Sequence, residues 1–224
     1  MAVLTPELRQ EAERIKARYP AGRERSAILP LLYLVQSVVG RVTREGLREV
    51  ADVLGTTTAE VEGVATFYTM IRLRPTGTHV LSVCTNLSCT LRGAVEVFAR
   101  AHQILGDSAE DATEDGLFSL HEEECLGACD AAPVVQVNYV NYDRMTPDGV
   151  ADLIDAVREG QPPTPARGTV PKDFKQASRI LAGLGTDAGP GGWGSRSERE
   201  RASDSPSGEG GERERASDSP SGDR

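Results

Sequence analysis

This sequence has few cysteines, few aromatic residues and no long apolar run. Only four of its 224 residues are cysteines, and 4% are aromatic. The longest apolar stretch, AILPLLYLVQSVVG, contains Pro30 and Gln36. It falls short of the about 18 apolar residues that indicate a membrane-spanning helix. We therefore expect no direct insertion into a membrane.

Positive charge is also scarce. The chain has 34 Asp and Glu residues against 25 Lys and Arg residues, which gives a formal net charge of −9. Nucleic-acid binding depends on Lys and Arg that displace counterions from phosphates, so we expect no nucleic-acid partner. Residues 1–20 lack the basic start and apolar middle of a secretory signal. We therefore expect a reducing compartment, where disulfides are rare.

The first 74 residues have the pattern of short helices joined by short loops. A helix start is indicated where Thr5 precedes Pro6, because Thr is a good N-cap and proline is tolerated at the first helical position. Thr57 and Glu60 match a capping box. The predicted helices are 6–19, 26–39, 43–54 and one that follows TTAE and covers VEGVATFYTM. Together they predict a small helical bundle over residues 1–74.

Beyond residue 75 the pattern changes to strands alternating with helices. The predicted strands are 80–83, 116–124 and 133–140, and the predicted helices are 90–101 and 147–159. The order strand, helix, strand, strand, helix is typical of a small α/β sandwich in which helices pack on a sheet. The predicted fold class is therefore α+β, with a helical bundle over residues 1–74 and an α/β domain over residues 75–160.

The remaining residues, 161–224, are predicted to be an extended and mostly disordered tail. After Thr186 the only large apolar side chain is Trp193, within GPGGWG, which we interpret as flexible linker. The segment ERERASDSPSG occurs twice, beginning at Glu198 and again at Glu212. Such low-complexity sequence cannot bury enough apolar surface to offset the entropy that ordering costs.

All four cysteines lie in two close pairs, and each pair follows a predicted strand. Cys84 and Cys89 are spaced C-x4-C, Cys125 and Cys129 are spaced C-x3-C, and 35 residues separate the pairs. Two loops of one sheet can bring such pairs together. Four thiolates are the ligands of a [2Fe-2S] cluster and equally of a structural zinc site. The spacing alone does not choose between these two, and disulfides or free thiols also stay open.

Charged residues surround the cysteine pairs. Acidic residues near a cluster oppose the addition of an electron and lower its reduction potential. Arg92 and a helix N-terminus beside Cys89 act in the opposite direction. A solvated rim is the alternative interpretation of the acidic residues, which are Glu122, Glu123, Glu124 and Asp130.

Other motifs that carry chemistry are missing from the sequence. It has no G-x-G-x-x-G after a strand and no Walker motif, so we expect any nucleotide cofactor to belong to a partner. We expect no catalytic residue and no substrate site in this chain. The histidines, His79, His102 and His121, are expected to have structural or surface roles, because four cysteines complete a ligand set without them.

Two segments make the sequence resemble a known family. They are EVEGVATFYTMIRLRPTGTHVLSVCTNLSCTLRG, which begins at Glu60, and EECLGACDAAPVVQVN, which begins at Glu123. Both resemble the small thioredoxin-like 2Fe-2S subunit of NADH:quinone oxidoreductase, respiratory complex I. In the bacterial enzyme this component is the E subunit, and in the mitochondrial enzyme it is the 24 kDa subunit. The resemblance covers residues 5–160, and the repeated tail has no counterpart in the family's shared core.

The resemblance implies a fold, a cofactor and a partner. The α/β domain of residues 75–160 is implied to be a thioredoxin-like 2Fe-2S ferredoxin domain. One 2Fe-2S cluster is implied, with the ligands Cys84, Cys89, Cys125 and Cys129. The implied partner is the flavin-bearing NADH-binding subunit, which holds FMN and NADH and exchanges single electrons with the cluster. The complex is implied to be cytoplasmic and peripheral to the cell membrane.

Two alternatives remain at this point. Related small subunits serve NAD-linked hydrogenases and formate dehydrogenases, and the sequence separates them poorly from complex I. A zinc-stabilised binding module with four cysteine ligands and no redox role is the alternative from a different class.

Overall fold

A four-stranded sheet lies between helical segments in the computed structural model, which describes residues 2–185. The helices are α1 (Pro6–Lys16), α2 (Ile28–Val39), α3 (Arg44–Leu54), α4 (Thr58–Phe67), α5 (Leu87–Thr90), α6 (Ala94–Leu105), α7 (Pro147–Arg158) and α8 (Phe174–Leu181). The strands are β1 (His79–Cys84), β2 (Phe118–Glu123), β3 (Val135–Val137) and β4 (Val140–Tyr142). Short 3₁₀ helices cover Glu24–Ala27, Asp107–Glu110 and Cys129–Ala131. Across residues 2–185 no helix combines the length and apolar character needed to cross a bilayer.

The predicted disordered tail falls largely outside the described residues. Residues 186–224, which contain Trp193 and both copies of ERERASDSPSG, are not among them.

The helix starts predicted at Thr5 and Thr57 are confirmed, whereas α2 begins at Ile28 and not at residue 26. Thr5 Oγ1 accepts a hydrogen bond from the Leu8 amide at 3.4 Å. The capping box is complete, because Thr57 Oγ1 accepts from the Glu60 amide and the Glu60 carboxylate accepts from the Thr57 amide, both at 3.3 Å. The first helix ends earlier than predicted, at Lys16.

One apolar core lies between α1, α2, α3 and α4. Its largest fully buried members include Ile15, Leu31, Leu32, Leu34 and Val50. Burying a side chain of this size contributes about 1.5 to 3 kcal/mol relative to leaving it exposed. The helices therefore depend on one another for stability.

The sheet has the strand order β2-β1-β3-β4. β1 runs parallel to β2, with His79 opposite Phe118 and Cys84 opposite Glu123, whereas β3 is antiparallel to β1 and β4. A second core joins the sheet to α6 and α7, and it includes Leu81, Val97, Phe118, Val135 and Ile154. Because β1 and β2 are parallel neighbours, their carboxyl ends lie at the same edge of the sheet.

The strand predicted over residues 133–140 is wrong, because this segment begins a hairpin. Asn138 and Tyr139, with φ values of 46° and 72°, turn the chain between β3 and β4. Asn tolerates this left-handed conformation, and its side chain also stabilises the turn. Asn138 Oδ1 accepts from the Val80 amide at 2.8 Å, and Asn138 Nδ2 donates to the Thr78 carbonyl at 3.0 Å.

The prediction that the chain is extended from residue 161 onward is wrong for α8. Asp173 caps this helix by accepting from the Gln176 amide at 2.8 Å. Phe174 and Ser178 are buried against α2, where Gln36 Nε2 donates to Ser178 Oγ at 3.2 Å. Four prolines lie between residues 161 and 173, and they indicate an extended chain in the sequence. The short apolar stripe of α8 becomes stable only because α2 supplies a surface for it.

We expect Phe174→Ala to lower the free energy of unfolding by about 3 to 5 kcal/mol, because it leaves a cavity in a site that is 1% exposed. Leu181→Ala is the matched control in the same helix, since Leu181 is 38% exposed, and should cost less than about 1 kcal/mol. Urea unfolding followed by circular dichroism measures both. Equal, small losses in the two variants would show that α8 does not contribute to the core.

Candidate metal centre

Both cysteine loops begin at the shared edge formed by the carboxyl ends of β1 and β2. Cys84 is the last residue of β1, and Cys125 follows two residues after the end of β2. The Thr85 amide donates to the Glu123 carbonyl at 3.0 Å, and the Cys84 amide donates to the Val134 carbonyl at 3.1 Å. These bonds extend the pairing beyond the strands. The prediction that the two loops converge is confirmed.

The first loop is fixed by local hydrogen bonds that place Cys89 inward. Asn86 Oδ1 accepts from the Leu87 amide at 2.8 Å at the start of α5, and Thr90 Oγ1 donates to the Thr85 carbonyl at 2.7 Å. The helix predicted over residues 90–101 is in fact two helices, α5 and α6. Gly93, at φ 96°, separates them, because this left-handed conformation favours glycine and cannot continue a helix.

The second loop folds around its own first cysteine. The Gly127 amide donates to Cys125 Sγ at 3.4 Å, and Gly127 adopts a φ of 69°. The loop also contacts the first one, because Cys84 Sγ donates to the Glu124 carbonyl at 3.8 Å. A 3₁₀ turn begins at Cys129. The two cysteine loops therefore touch each other at the edge of the sheet.

The four thiols interact as two pairs. Burial and a hydrogen bond with Cys84 raise the pKa of the Cys89 thiol to about 11. A hydrogen bond with Cys125, together with its proximity, raises the pKa of the Cys129 thiol. Cys129 also interacts electrostatically with Cys84 and with Cys89, so the two pairs lie near each other.

This donor set fits the cofactor that four cysteines suggest. A [2Fe-2S] cluster takes two thiolates on each iron, and the thiols lie two by two. Over residues 2–185 no three His, Cys, Asp or Glu side chains surround the position of a single ion. Metal binding would release protons from the thiols, because thiolates are the ligands.

The two pairs differ strongly in exposure. Cys84 and Cys89 are 2% and 1% exposed and lie in a small core with Ala94, Ala132 and Val134. Cys125 and Cys129 are exposed. One side of the site therefore faces the protein interior and the other faces the surface.

Arginines offset two of the four acidic side chains that the sequence places near the thiols. Glu123 pairs with Arg72 at 3.4 Å, and these side chains are 21% and 15% exposed. Asp130 pairs with Arg167 at 3.1 Å. Glu122 and Glu124 are exposed, as is Arg92, the cation that the sequence suggested for this role. No local pattern indicates Arg72 or Arg167, because each contacts a residue more than 30 positions away.

The three histidines have partners outside the cysteine loops. His102 pairs with Asp107 at 3.2 Å, and His79 lies 5.9 Å from Phe118 between ring centroids. Burial, together with the positive charge of Arg72, lowers the pKa of His121 to about 4. These contacts agree with the structural roles predicted for them.

The sequence of residues 12–158 matches the family model of thioredoxin-like [2Fe-2S] ferredoxins. The match covers more than half of the chain, which therefore belongs to this family of thioredoxin-like [2Fe-2S] ferredoxins. A likeness in three dimensions agrees with this assignment. A crystal structure of an NAD⁺-reducing [NiFe]-hydrogenase contains a chain that superposes on this one with a TM-score of 0.52 at 17% identity. The superposition covers 60% of this chain and 23% of that longer chain, and it shows a shared fold alone.

Curated relatives within the family are subunits of one respiratory enzyme. The E subunit of the NADH-quinone oxidoreductase of Mycobacterium bovis is 47% identical over 177 residues, which cover 79% of this chain and 69% of the relative. NADH-quinone oxidoreductase subunit 2 of Thermus thermophilus is 42% identical over 146 residues, which cover 65% and 81%. The resemblance to the small 2Fe-2S component of complex I is thereby confirmed.

We expect iodoacetamide to alkylate the four thiols of the metal-stripped, reduced chain at very different rates. At pH 8 the exposed Cys125 should react at least about 100-fold faster than the buried Cys89, because the thiolate is the reactive form and access is required. The rate at Cys89 should rise about tenfold per pH unit up to about pH 11, since its pKa is raised.

Mass spectrometry of tryptic peptides measures these rates. The chain unfolded in urea is the control, in which all four cysteines should react alike. Alkylation of folded Cys89 as fast as that of Cys125 would contradict the burial of the first pair.

Proposed function

We propose that this chain is an electron-transfer subunit of NADH:quinone oxidoreductase, in which Cys84, Cys89, Cys125 and Cys129 hold one [2Fe-2S] cluster. The observation that carries the proposal is the meeting of two cysteine pairs at the shared edge of β1 and β2 in a chain of this family. The partner in the proposal is a flavin-bearing NADH-binding subunit, which holds FMN and NADH. We place the complex in the cytoplasm, peripheral to the cell membrane.

The cluster, when bound, supplies a one-electron redox couple. The chain's own residues set where that couple sits. Cys84 and Cys89 would hold the cluster on the side of a small apolar core, and the exposed Cys125 and Cys129 would hold it on the side of the surface. Arg72 and Arg167 offset carboxylates on either side of the second cysteine loop, which favours acceptance of an electron there.

Exposed apolar side chains beside the thiols support a protein partner. Leu87 and Leu91 belong to the same turn of chain as Cys89 and are 69% and 75% exposed. Apolar side chains grouped on a surface mark sites of interaction. A partner seated on Leu87 and Leu91 approaches the thiols directly.

Two other functions compete with this one. An equivalent component of an NAD-linked hydrogenase is favoured only by the shared fold at 17% identity, against 47% identity to a component of NADH-quinone oxidoreductase. A zinc module with four cysteine ligands uses the same donor set without a redox role. Metal content decides between the cluster and zinc, and the proteins that copurify from cells decide between the two complexes.

The chain purified without air should contain about two irons and two acid-labile sulfides per molecule. It should also show a resonance in electron paramagnetic spectra after reduction with dithionite. Cys125→Ala should abolish the normal cluster, because one iron loses a thiolate. Glu124→Gln is the control from the same loop and should leave iron, sulfide and spectrum unchanged. One zinc per molecule with no iron would overturn the proposed function, and an unaltered spectrum in Cys125→Ala would overturn the ligand assignment.

Leu91→Asp should weaken copurification with the NADH-binding subunit about tenfold or more, because it puts a charge into an apolar contact. Its iron content should match the unsubstituted chain. Leu181→Asp is the control, since Leu181 is also exposed, at 38%, but lies in α8. Pull-down of the coexpressed pair, quantified by FMN content, measures the effect. Equal recovery with both variants would show that Leu91 lies outside the interface.

A further inference from the structure

The segment between Pro163 and Lys172 is anchored at both ends to the hairpin of β3 and β4. Its first end is held where Tyr142 Oη donates to the Pro163 carbonyl at 2.9 Å. Its second end is held where Asn138 Nδ2 donates to the Lys172 carbonyl at 2.8 Å. Arg167 therefore projects from a segment that is fixed on both sides.

The Arg167 guanidinium bridges two carboxylates. Its Nε and Nη2 donate to the two oxygens of Asp143 at 3.0 and 2.9 Å. Its Nη1 donates to the oxygens of Asp130 at 3.1 and 3.3 Å. Asp143 follows the last residue of β4 and its side chain is 9% exposed, whereas Asp130 follows Cys129 directly.

Backbone hydrogen bonds join the same two pieces of chain. The Arg144 amide donates to the Ala131 carbonyl at 2.8 Å, and the Met145 amide donates to the Pro133 carbonyl at 2.9 Å. Arg167 adds a side-chain bridge at the end of this junction that is nearest to Cys129. At the start of the loop, the Gly127 amide donates to Cys125 Sγ, and Asn141 Nδ2 of β4 donates to the Leu126 carbonyl at 3.4 Å.

We propose that Arg167 is a positioning residue, which holds the loop of Cys125 and Cys129 on the end of β4 and neutralises Asp130 beside the cluster. The second part rests on the proposed function, because it needs a cluster at these cysteines. Loss of the guanidinium removes this bridge, which loosens the loop beside Cys129 and leaves two carboxylates uncompensated on that side.

The geometry of an ion pair decides how much it contributes to stability. Isolated ion pairs on a surface contribute little to stability, but bidentate and shared pairs contribute more. Arg167 is bidentate to Asp143 and reaches Asp130 at the same time, which the planar fork of arginine permits. A lysine at this position keeps the charge but has a single ammonium group that cannot span both carboxylates in this way.

The two parts of the proposal are tested by two readouts. Hydrogen exchange in the metal-stripped chain reports the loop, and the midpoint potential of the iron-loaded chain, titrated by electron paramagnetic resonance, reports the charge. The variants are Arg167→Gln, which removes both the planar guanidinium fork and its positive charge, and Arg167→Lys, which removes the fork but keeps a positive charge. Arg48→Gln is the control, because Arg48 forms a single exposed pair with Glu45 in α3.

Arg167→Gln and Arg167→Lys should both speed exchange of the Arg144 amide about tenfold, whereas Arg48→Gln should not. Only Arg167→Gln should shift the midpoint potential to a more negative value, because Asp130 then opposes the added electron. We expect the midpoint potential of Arg167→Lys to stay near that of the unsubstituted chain, because lysine keeps the positive charge. Its Arg144 amide should still exchange faster, because the loop is held less firmly.

Unchanged exchange in both Arg167 variants would overturn the positioning role. An unchanged potential in Arg167→Gln would overturn the neutralisation of Asp130. A chain that binds no iron even before substitution would overturn the proposed function and with it the neutralisation. The exchange measurement in the metal-stripped chain still decides the positioning role in that case.

Discussion

The parallel pairing of β1 with β2 is the constraint on which the rest of the site depends. Its register places Cys84 opposite Glu123, so that both loops leave the sheet at one edge. Two cysteine pairs that are 35 residues apart in sequence thereby become neighbours. A shift of the register by one residue would turn Cys84 to the opposite face of the sheet and separate the pairs. The cores on the sheet, which bury Leu81 and Phe118 completely, oppose such a shift.

Most of the elements that carry the site could be predicted from local patterns. The caps at Thr5 and Thr57 are chemical signals within four residues, and both are present in the structure. The position of each cysteine pair after a strand is an equally local signal. The hairpin between β3 and β4 could not be predicted, because Tyr139 at φ 72° gives no sequence signal of a turn.

The charges around the site could not be predicted in the same way. Arg72 and Arg167 act on the second cysteine loop from 51 and 37 positions away, and arginines at such distances are indistinguishable from other surface arginines in the sequence. Local sequence therefore shows the acidic residues of the loop without the cations that face them. Long-range packing also explains why α8 could not be predicted. Its apolar side chains are buried only because α2 packs against them.

Gln36 shows how tightly the end of the described chain is tied to its beginning. This fully buried side chain donates to Ser178 and to the Met70 carbonyl, and accepts from the Arg72 amide. Gln36 and Ser178 are 142 positions apart. During synthesis on the ribosome, α8 emerges long after α2. Until then the Gln36 side-chain amide lacks its bond to Ser178, and the face of α2 that packs against α8 stays uncovered. The contacts of α2 with α8 thus form only after the strands and helices from β1 to α7 have been made.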